Sequence, residues 1–232
     1  MATFLIIDTA LEEAIVALGK DGKIVAELTN KETHSHASFI QVAIANVLAE
    51  QQMTISALDA IAVTLGPGSY TGLRVGLATA KGIAYSIQKP LIGLSTLGAL
   101  ATRAFQLAPN TFEPPFQVFA MIDARRMEVF SAIYNSDGEV VKTISADILD
   151  EQSYETFLPF TVVGDAVGKV KSIWENRAIR FEESCIASAK GQVRIGYEKF
   201  QKKEFEDVAY FEPFYLKDFV TGVSTKNALN NG

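Results

Sequence analysis

A single cysteine, Cys185, and two histidines, His34 and His36, stand in the 232-residue chain. One cysteine excludes an internal disulfide and is compatible with a reducing compartment. A helical metal site of the two-histidine kind needs imidazoles four residues apart, one turn, so that both reach the same side. At a spacing of two, His34 and His36 diverge on a helix. They could share one face of a strand, but no carboxylate-rich shell lies nearby, and they read as solvated loop residues. Basic residues are also scarce: 21 Lys and Arg against 27 Asp and Glu leave a net charge of −6. That balance disfavours a dedicated nucleic-acid surface, which relies on clustered cations. Arg125-Arg126 and Lys199 to Lys203 read as small solvated patches. No apolar run approaches the roughly 20 residues of a membrane helix. The start, with the strand Phe4-Leu5-Ile6-Ile7, lacks the charged lead and longer apolar core of a signal peptide. A cytoplasmic location without membrane contact is expected.

What is present is apolar residues, 48% of the chain, enough for one large domain or two lobes. The stretch 64–97 organises the rest. A strand (Ile61 to Val63) runs into the turn Gly66-Pro67-Gly68, Ser69 or Thr71 caps a helix, and the helix runs from about Gly72 to Ile87, before Pro90. Gly72, Gly76, Ala80 and Ala84 form one row at four-residue spacing. Interior glycine costs a helix about 1 kcal/mol relative to alanine, so close approach of another backbone is implied. Two readings stay open: packing on the protein's own sheet, or a docking face for another protein with Leu73, Leu77 and Ile83 serving the core.

Upstream, strands at 4–7 (ending at Asp8), 14–18 and 24–28 surround a turn at Lys20-Asp21-Gly22-Lys23, where Asp-Gly supplies positive φ. A helix from about Ser38 to Gln52 follows, without charge between Ala37 and Ala49. Ile40, Ile44, Val47 and Leu48 give it a core stripe. Phe39, Val42 and Ala43 widen the apolar arc, which suggests partner contact. Beyond the central stretch come a strand at 91–93, a helix at 96–107, and a linker over 108–115 whose Pro109, Pro114 and Pro115 mark a boundary. The second half repeats the first: a strand over 116–122 ending at Asp123, strands at 129–134 and 140–144 around Asn135-Ser136-Asp137-Gly138, a shorter helix over about 151–158, and a strand at 161–163 running into Gly164-Asp165. Strand 179–181 and a helix over about 188–203 complete it. Residues 211–216 are apolar enough to pack back on the body. The repeat makes the fold class α/β, with two lobes each carrying a mixed sheet flanked by helices: lobes at 1–107 and 116–216, then a polar tail at 217–232, expected to fray.

The duplication resembles the actin-like (ASKHA, RNase H-like) superfamily of sugar kinases and Hsp70 ATPases. Within it, Ile6-Ile7-Asp8-Thr9-Ala10, the run from Gly66 to Gly76, and Ile122-Asp123-Ala124-Arg125 with Glu128-Val129-Phe130 are similar to the bacterial TsaB family, also called YeaZ. The similarity spans most of residues 1–217. It implies a supporting role in forming N6-threonylcarbamoyladenosine at position 37 of certain tRNAs, beside a catalytic TsaD-like subunit and a TsaE-like ATPase. tRNA is contacted only indirectly. The family docks on TsaD through its first two helices and forms homodimers through a similar surface. The partner-interface residues expected here are Phe39, Val42, Ala43, Gly72, Gly76, Ala80 and Ala84.

Nucleotide chemistry in this superfamily uses two phosphate-cradling hairpins with small residues. Asp8-Thr9-Ala10-Leu11-Glu12 keeps the acid that would orient magnesium-bound water but lacks the glycine and adds Glu12. Asp123-Ala124-Arg125-Arg126 is crowded, and Gly164-Asp165-Ala166-Val167-Gly168 lacks a double glycine. Asp8, Asp123 and Gly164 therefore mark a vestigial nucleotide site; no cofactor is expected beyond weak ATP–magnesium binding. Asp8 also reads as a turn residue capping amides. A catalytic set is not expected. Gly-Pro-Gly-Ser-Tyr is not a Gly-x-Ser-x-Gly elbow, and neither Ser69 nor Cys185 has an evident base. The competing reading is an actin-like nucleotide-dependent enzyme or a glycoprotease-like peptidase.

Overall fold

Every residue of the strand Thr3–Asp8 (β1) is buried, which requires cover on both faces of its sheet. The computed structural model describes residues 2–32, 35–107, 116–186 and 189–216. β1 is followed by Ala14–Lys20 (β2), Lys23–Asn30 (β3), helix His36–Glu50 (α1), Ala60–Gly66 (β4), helix Tyr70–Ile87 (α2), Leu91–Ser95 (β5) and helix Thr96–Leu107 (α3). The first sheet has five strands in the order β3-β2-β1-β4-β5. β1 pairs antiparallel with β2, with Asp8 opposite Ile15, and parallel with β4, with Ile6 opposite Ala62. The β2–β3 turn places Asp21 and Gly22 at φ 48° and 78°, as the Asp-Gly pair requires.

The second half gives Gln117–Asp123 (β6), Glu128–Asn135 (β7), Val140–Ile148 (β8), Phe160–Val163 (β9), helix Val167–Trp174 (α4), Ile179–Glu182 (β10) and helix Ala189–Lys202 (α5). Its sheet, also five-stranded, runs β10-β9-β6-β7-β8, the first order read from the other edge. The duplicated mixed sheets are the expected ones. The linker 108–115 and the tail 217–232 lie outside the described residues.

One expected helix is absent. Residues 151–158 hold only a single short turn of 3₁₀ helix, Glu155–Phe157. Tyr154 has φ 64°, outside the helical range, and Pro159 forces Leu158 into extended geometry. Tyr154 turns into the core, 4.5 Å edge-on to Phe119. α4 stands where the repeat places a helix, after the strand running into Gly164-Asp165; its Val167, Val170 and Trp174, all buried, sit at helical spacing.

Odd and even residues of β1 serve different layers. Leu5 and Ile7 join Ile40, Ile44 and Val47 of α1 and Leu77, Ala80 and Ala84 of α2. Phe4 and Ile6 join Ile92, Leu94 and, from the last helix, Ala189 and Val193. α5 thus belongs to the second half by sequence and covers the first sheet. α3 lies between the lobes, its Leu97, Leu100 and Ala104 packing with Val118, Ala120 and Ile122 of β6.

Candidate docking face and interlobe cleft

The long central motif and the β1–β2 turn are built against each other. Ser69 caps α2 by accepting from Gly72 N at 3.2 Å, and its own N–H donates to Ala10 O at 2.7 Å. Thr9 Oγ1 donates to Gly72 O at 2.6 Å. A Cβ on Gly72 would lie 2.0 Å from Thr9 O, and one on Gly76 would lie 2.4 Å from Thr9 Oγ1. This corrects the outward reading of the small-residue row. Gly72, Gly76, Ala80 and Ala84 are all buried beneath the protein's own first strand and the turn after it. The glycines leave room for the Asp8-Thr9-Ala10 backbone rather than for another molecule. Ala43 is likewise buried in the first core, and Phe39 packs at its edge. Of the residues expected at a partner surface, Val42 is the one that stands out, 61% exposed.

The solvent side of the same two helices carries a different row. On α1 it is Ser38, Val42, Ala45 and Ala49; on α2 it is Thr71, Ala78, Gly82 and Tyr85, all exposed, with Val75 half-buried between them. Tyr85 is 80% exposed, and a Cβ on Gly82 would meet nothing within 4 Å. These residues are uncharged and mostly small. The signal was in the sequence, at i, i+4, i+7 and i+11 on α1 and at i, i+7, i+11 and i+14 on α2, where Val75 fills i+4, one step round from the row singled out.

A C-terminal strap borders α2 on its other flank. Glu206 bridges to Leu91, and Phe214 N donates to Leu65 O at 2.9 Å. Lys81 Nζ donates to Ala209 O and Phe211 O at 3.0 and 3.1 Å. Arg74 Nε donates to Tyr215 Oη at 2.9 Å, and the guanidinium carbon lies 4.1 Å from the centre of the Tyr70 ring. So residues 211–216 do pack back on the body.

Between the lobes lies a cleft of about 720 Å³ lined in part by Glu12, His36, Ser69, Thr71, Asp123, Arg125 and Asp165. Of the three vestigial-site residues, Asp123 alone lines it. Its carboxylate accepts from Arg125 N at 2.6 Å and pairs with Lys169, while Asp165 Oδ1 accepts from Asp123 N at 2.7 Å. Burial, with the Asp123 charge adding to it, pushes the Asp165 carboxyl above its ordinary value. Asp8 is sealed away from the cleft. Gln192 of α5 donates to its Oδ2 and Ala10 N to its Oδ1, the latter at 2.8 Å. Burial raises the Asp8 carboxyl above the usual range against the pull of these bonds. Gly164, at φ 108°, is pressed on β6, where a Cβ would lie 2.0 Å from Met121 O; it serves packing. No local pattern could have announced Gln192, which comes from the far end of the chain.

The nucleophile candidates have other employment. Ser69 is the α2 cap described above. The structure does bring His36 into the same cleft as Ser69, a juxtaposition without a local sequence signal, but His36 Nε2 sits 3.1 Å from Glu12 O. Cys185 is buried against Leu100 O, and burial pushes its thiol up to about 12. Among the described residues no group of three or more His, Cys, Asp and Glu could hold a metal, and no helix is long and apolar enough to cross a membrane. His34 lies outside the described residues.

Comparison with known proteins fits this architecture. Residues 23–223 match the family model for TsaD, tRNA N6-adenosine threonylcarbamoyltransferase. The chain is 30% identical to the tRNA threonylcarbamoyladenosine biosynthesis protein TsaB of Escherichia coli, over 93% of this chain and 95% of that protein. The solved YeaZ of Pseudomonas aeruginosa superposes with a TM-score of 0.75 at 28% identity, covering 93% of this chain and all (100%) of that one. A putative N-acetylmannosamine kinase of Listeria monocytogenes shares the fold alone, with a TM-score of 0.52 at 10% identity, covering 87% of this chain and 99% of that one. Duplicated five-stranded mixed sheets, the Gly66–Gly76 run locked on the β1–β2 turn, and these likenesses together place the chain in the TsaB (YeaZ) family, within the wider group that the TsaD model describes.

Proposed function

We propose that this chain takes part in threonylcarbamoyladenosine formation on tRNA as a non-catalytic partner of a TsaD-type transferase, docking through the outer faces of α1 and α2. The observation that carries the reading is the exposed, uncharged and largely small row of Val42, Ala45, Ala49, Ala78 and Gly82. Small side chains let a partner helix approach closely, and burying uncharged surface avoids the desolvation cost of charge. A TsaE-like ATPase belongs to the same assembly on this reading, a second copy of the chain competes for the face, and tRNA is bound by the partner. The expected site of action is the cytoplasm. Asp8, buried away from the cleft and held by Gln192, supports the view that the chain itself has no working nucleotide site beyond weak ATP–magnesium binding.

The test is titration of a TsaD-type partner from the same source with the wild-type chain and with Gly82→Arg. The variant places a long cation in the exposed row, where the backbone leaves open space. It should unfold at the wild-type temperature or above and fail to bind. Full binding by the variant, or threonylcarbamoyl transfer by the isolated chain, would refute the proposal.

A further inference from the structure

The docking layer is opposite in sign to the molecule that bears it. α2 contains Arg74 and Lys81 and no acidic residue, and α1 has Glu50 as its acidic residue, in a chain of net charge −6. Lys81 is engaged by two strap carbonyls. Arg74 is held differently. Its guanidinium carbon lies 4.1 Å and 5.8 Å from the ring centres of Tyr70 and Tyr215, and those rings are 4.9 Å apart. Nε is taken by Tyr215 Oη, while among the described residues the two terminal nitrogens make no hydrogen bond. The side chain is exposed on the helix, yet fixed from two sides.

We propose that Arg74, held by Tyr70 and Tyr215, receives a carboxylate side chain of the catalytic partner as that partner docks on α1 and α2; this rests on the docking reading above. A free arginine loses rotamer freedom when it pairs, and here much of that loss is already met by the two rings and the strap. The planar Nη1–Nη2 edge suits a bidentate carboxylate. Beside it lies a groove of about 330 Å³ between α2 and the strap, lined by Arg74, Leu77, Ala78, Lys81, Pro213 and Tyr215, with Glu212 also in its wall. Glu212 attracts Arg74 at a distance but forms no ion pair with it among the described residues, so it leaves the terminal nitrogens open while its own charge repels an incoming carboxylate. A second copy of the chain would bring the same two cations to the face, with no acid on α2 to meet them. The surface therefore favours a partner of opposite sign over self-association.

Calorimetric titration with the TsaD-type partner, at low and moderate salt, tests this with Arg74→Gln, Arg74→Lys and Glu212→Gln. Arg74→Gln should weaken binding by about tenfold and flatten its salt dependence. Arg74→Lys should restore little, because an ammonium neither stacks nor forks. Glu212→Gln should tighten binding. Both side chains are at the surface, so thermal midpoints of all three variants should stay within about 2 °C of the wild type. A dissociation constant for Arg74→Gln within about twofold of the wild type overturns the proposal. Binding lost in Gly82→Arg but indifferent to Arg74→Gln keeps the docking face and overturns only the role of Arg74. No binding by the wild-type chain overturns both.

Discussion

Two identical substitutions on α2 should have opposite effects. Gly72→Ala and Gly82→Ala each add one methyl group to the same helix, and each gains up to about 1 kcal/mol of helix propensity. At Gly82 nothing opposes the gain, since the added carbon has no neighbour within 4 Å. At Gly72 the methyl would stand 2.0 Å from Thr9 O, a backbone atom that cannot rotate away. The turn after β1 must move, which costs about 3 kcal/mol by analogy with overpacked cores. Moving it also strains the buried bond from Thr9 Oγ1 to Gly72 O, worth about 1 kcal/mol. After the propensity gain, the net loss at Gly72 is about 3 kcal/mol, and the two variants should differ by about 4. For a chain of this size that is a separation of roughly 8–16 °C in thermal midpoint, with Gly82→Ala above the wild type by about 2–4 °C. Differential scanning calorimetry and urea unfolding measure both. Equal midpoints, or a stabilised Gly72→Ala, would refute the claim that this row is an internal seam.

Asp8→Asn should stabilise the protein at neutral pH. The buried carboxyl titrates above its ordinary 3.8, so as pH rises past that value the unfolded chain releases its proton first and wild-type stability falls until the folded group ionises. The amide removes that fall, and with the Gln192 side chain turned over it can donate to Gln192 Oε1, which has no hydrogen-bond partner among the described residues; a large loss of stability in the variant would contradict the description of the site. Asp147 behaves in the opposite sense: burial opposes its ionisation, but bonds from Ser131, Ser145, Tyr154 and Lys142 outweigh it and hold the carboxyl below its usual value. Its contribution is present above the unfolded value and is lost on acidification, so Asp147→Asn should flatten the acid limb of the stability profile, and an unchanged limb would count against the network. Cys185, with its thiol pushed up to about 12, should react with a thiol reagent only as fast as the protein opens; immediate labelling in the native state would refute its burial.

Much of the fold was legible because it repeats. Strands ending at Asp8 and Asp123, each followed by a hairpin with an Asp-Gly turn, announce two copies of one sheet. Local signals failed where a single residue departed from them. Nothing in residues 151–158 says that Tyr154 leaves the helical region, whereas Pro159 was a visible warning. The small-residue row is legible in the sequence, but its spacing alone does not say whether it faces the protein's own sheet or a partner. Leu73 and Leu77 adjoin Gly72 and Gly76 on one arc, and Arg74 and Lys81 lie on the other. That charge placement alone points the glycines inward. What no local reading could supply is the pairing of Asp8 with Gln192, separated by 184 positions, or of Arg74 with Tyr215, separated by 141. Both depend on α5 and the strap returning to the first lobe.

That return has a consequence for biosynthesis. While the ribosome is still adding the second lobe, Phe4, Ile6, Ile15, Ile92 and Leu94 face water, because the helix that shelters them begins at Ala189. A nascent or truncated first lobe is therefore a sticky, half-clad object, dependent on chaperones or on speed of completion. Cutting the gene at the interlobe linker should yield aggregates rather than two soluble halves.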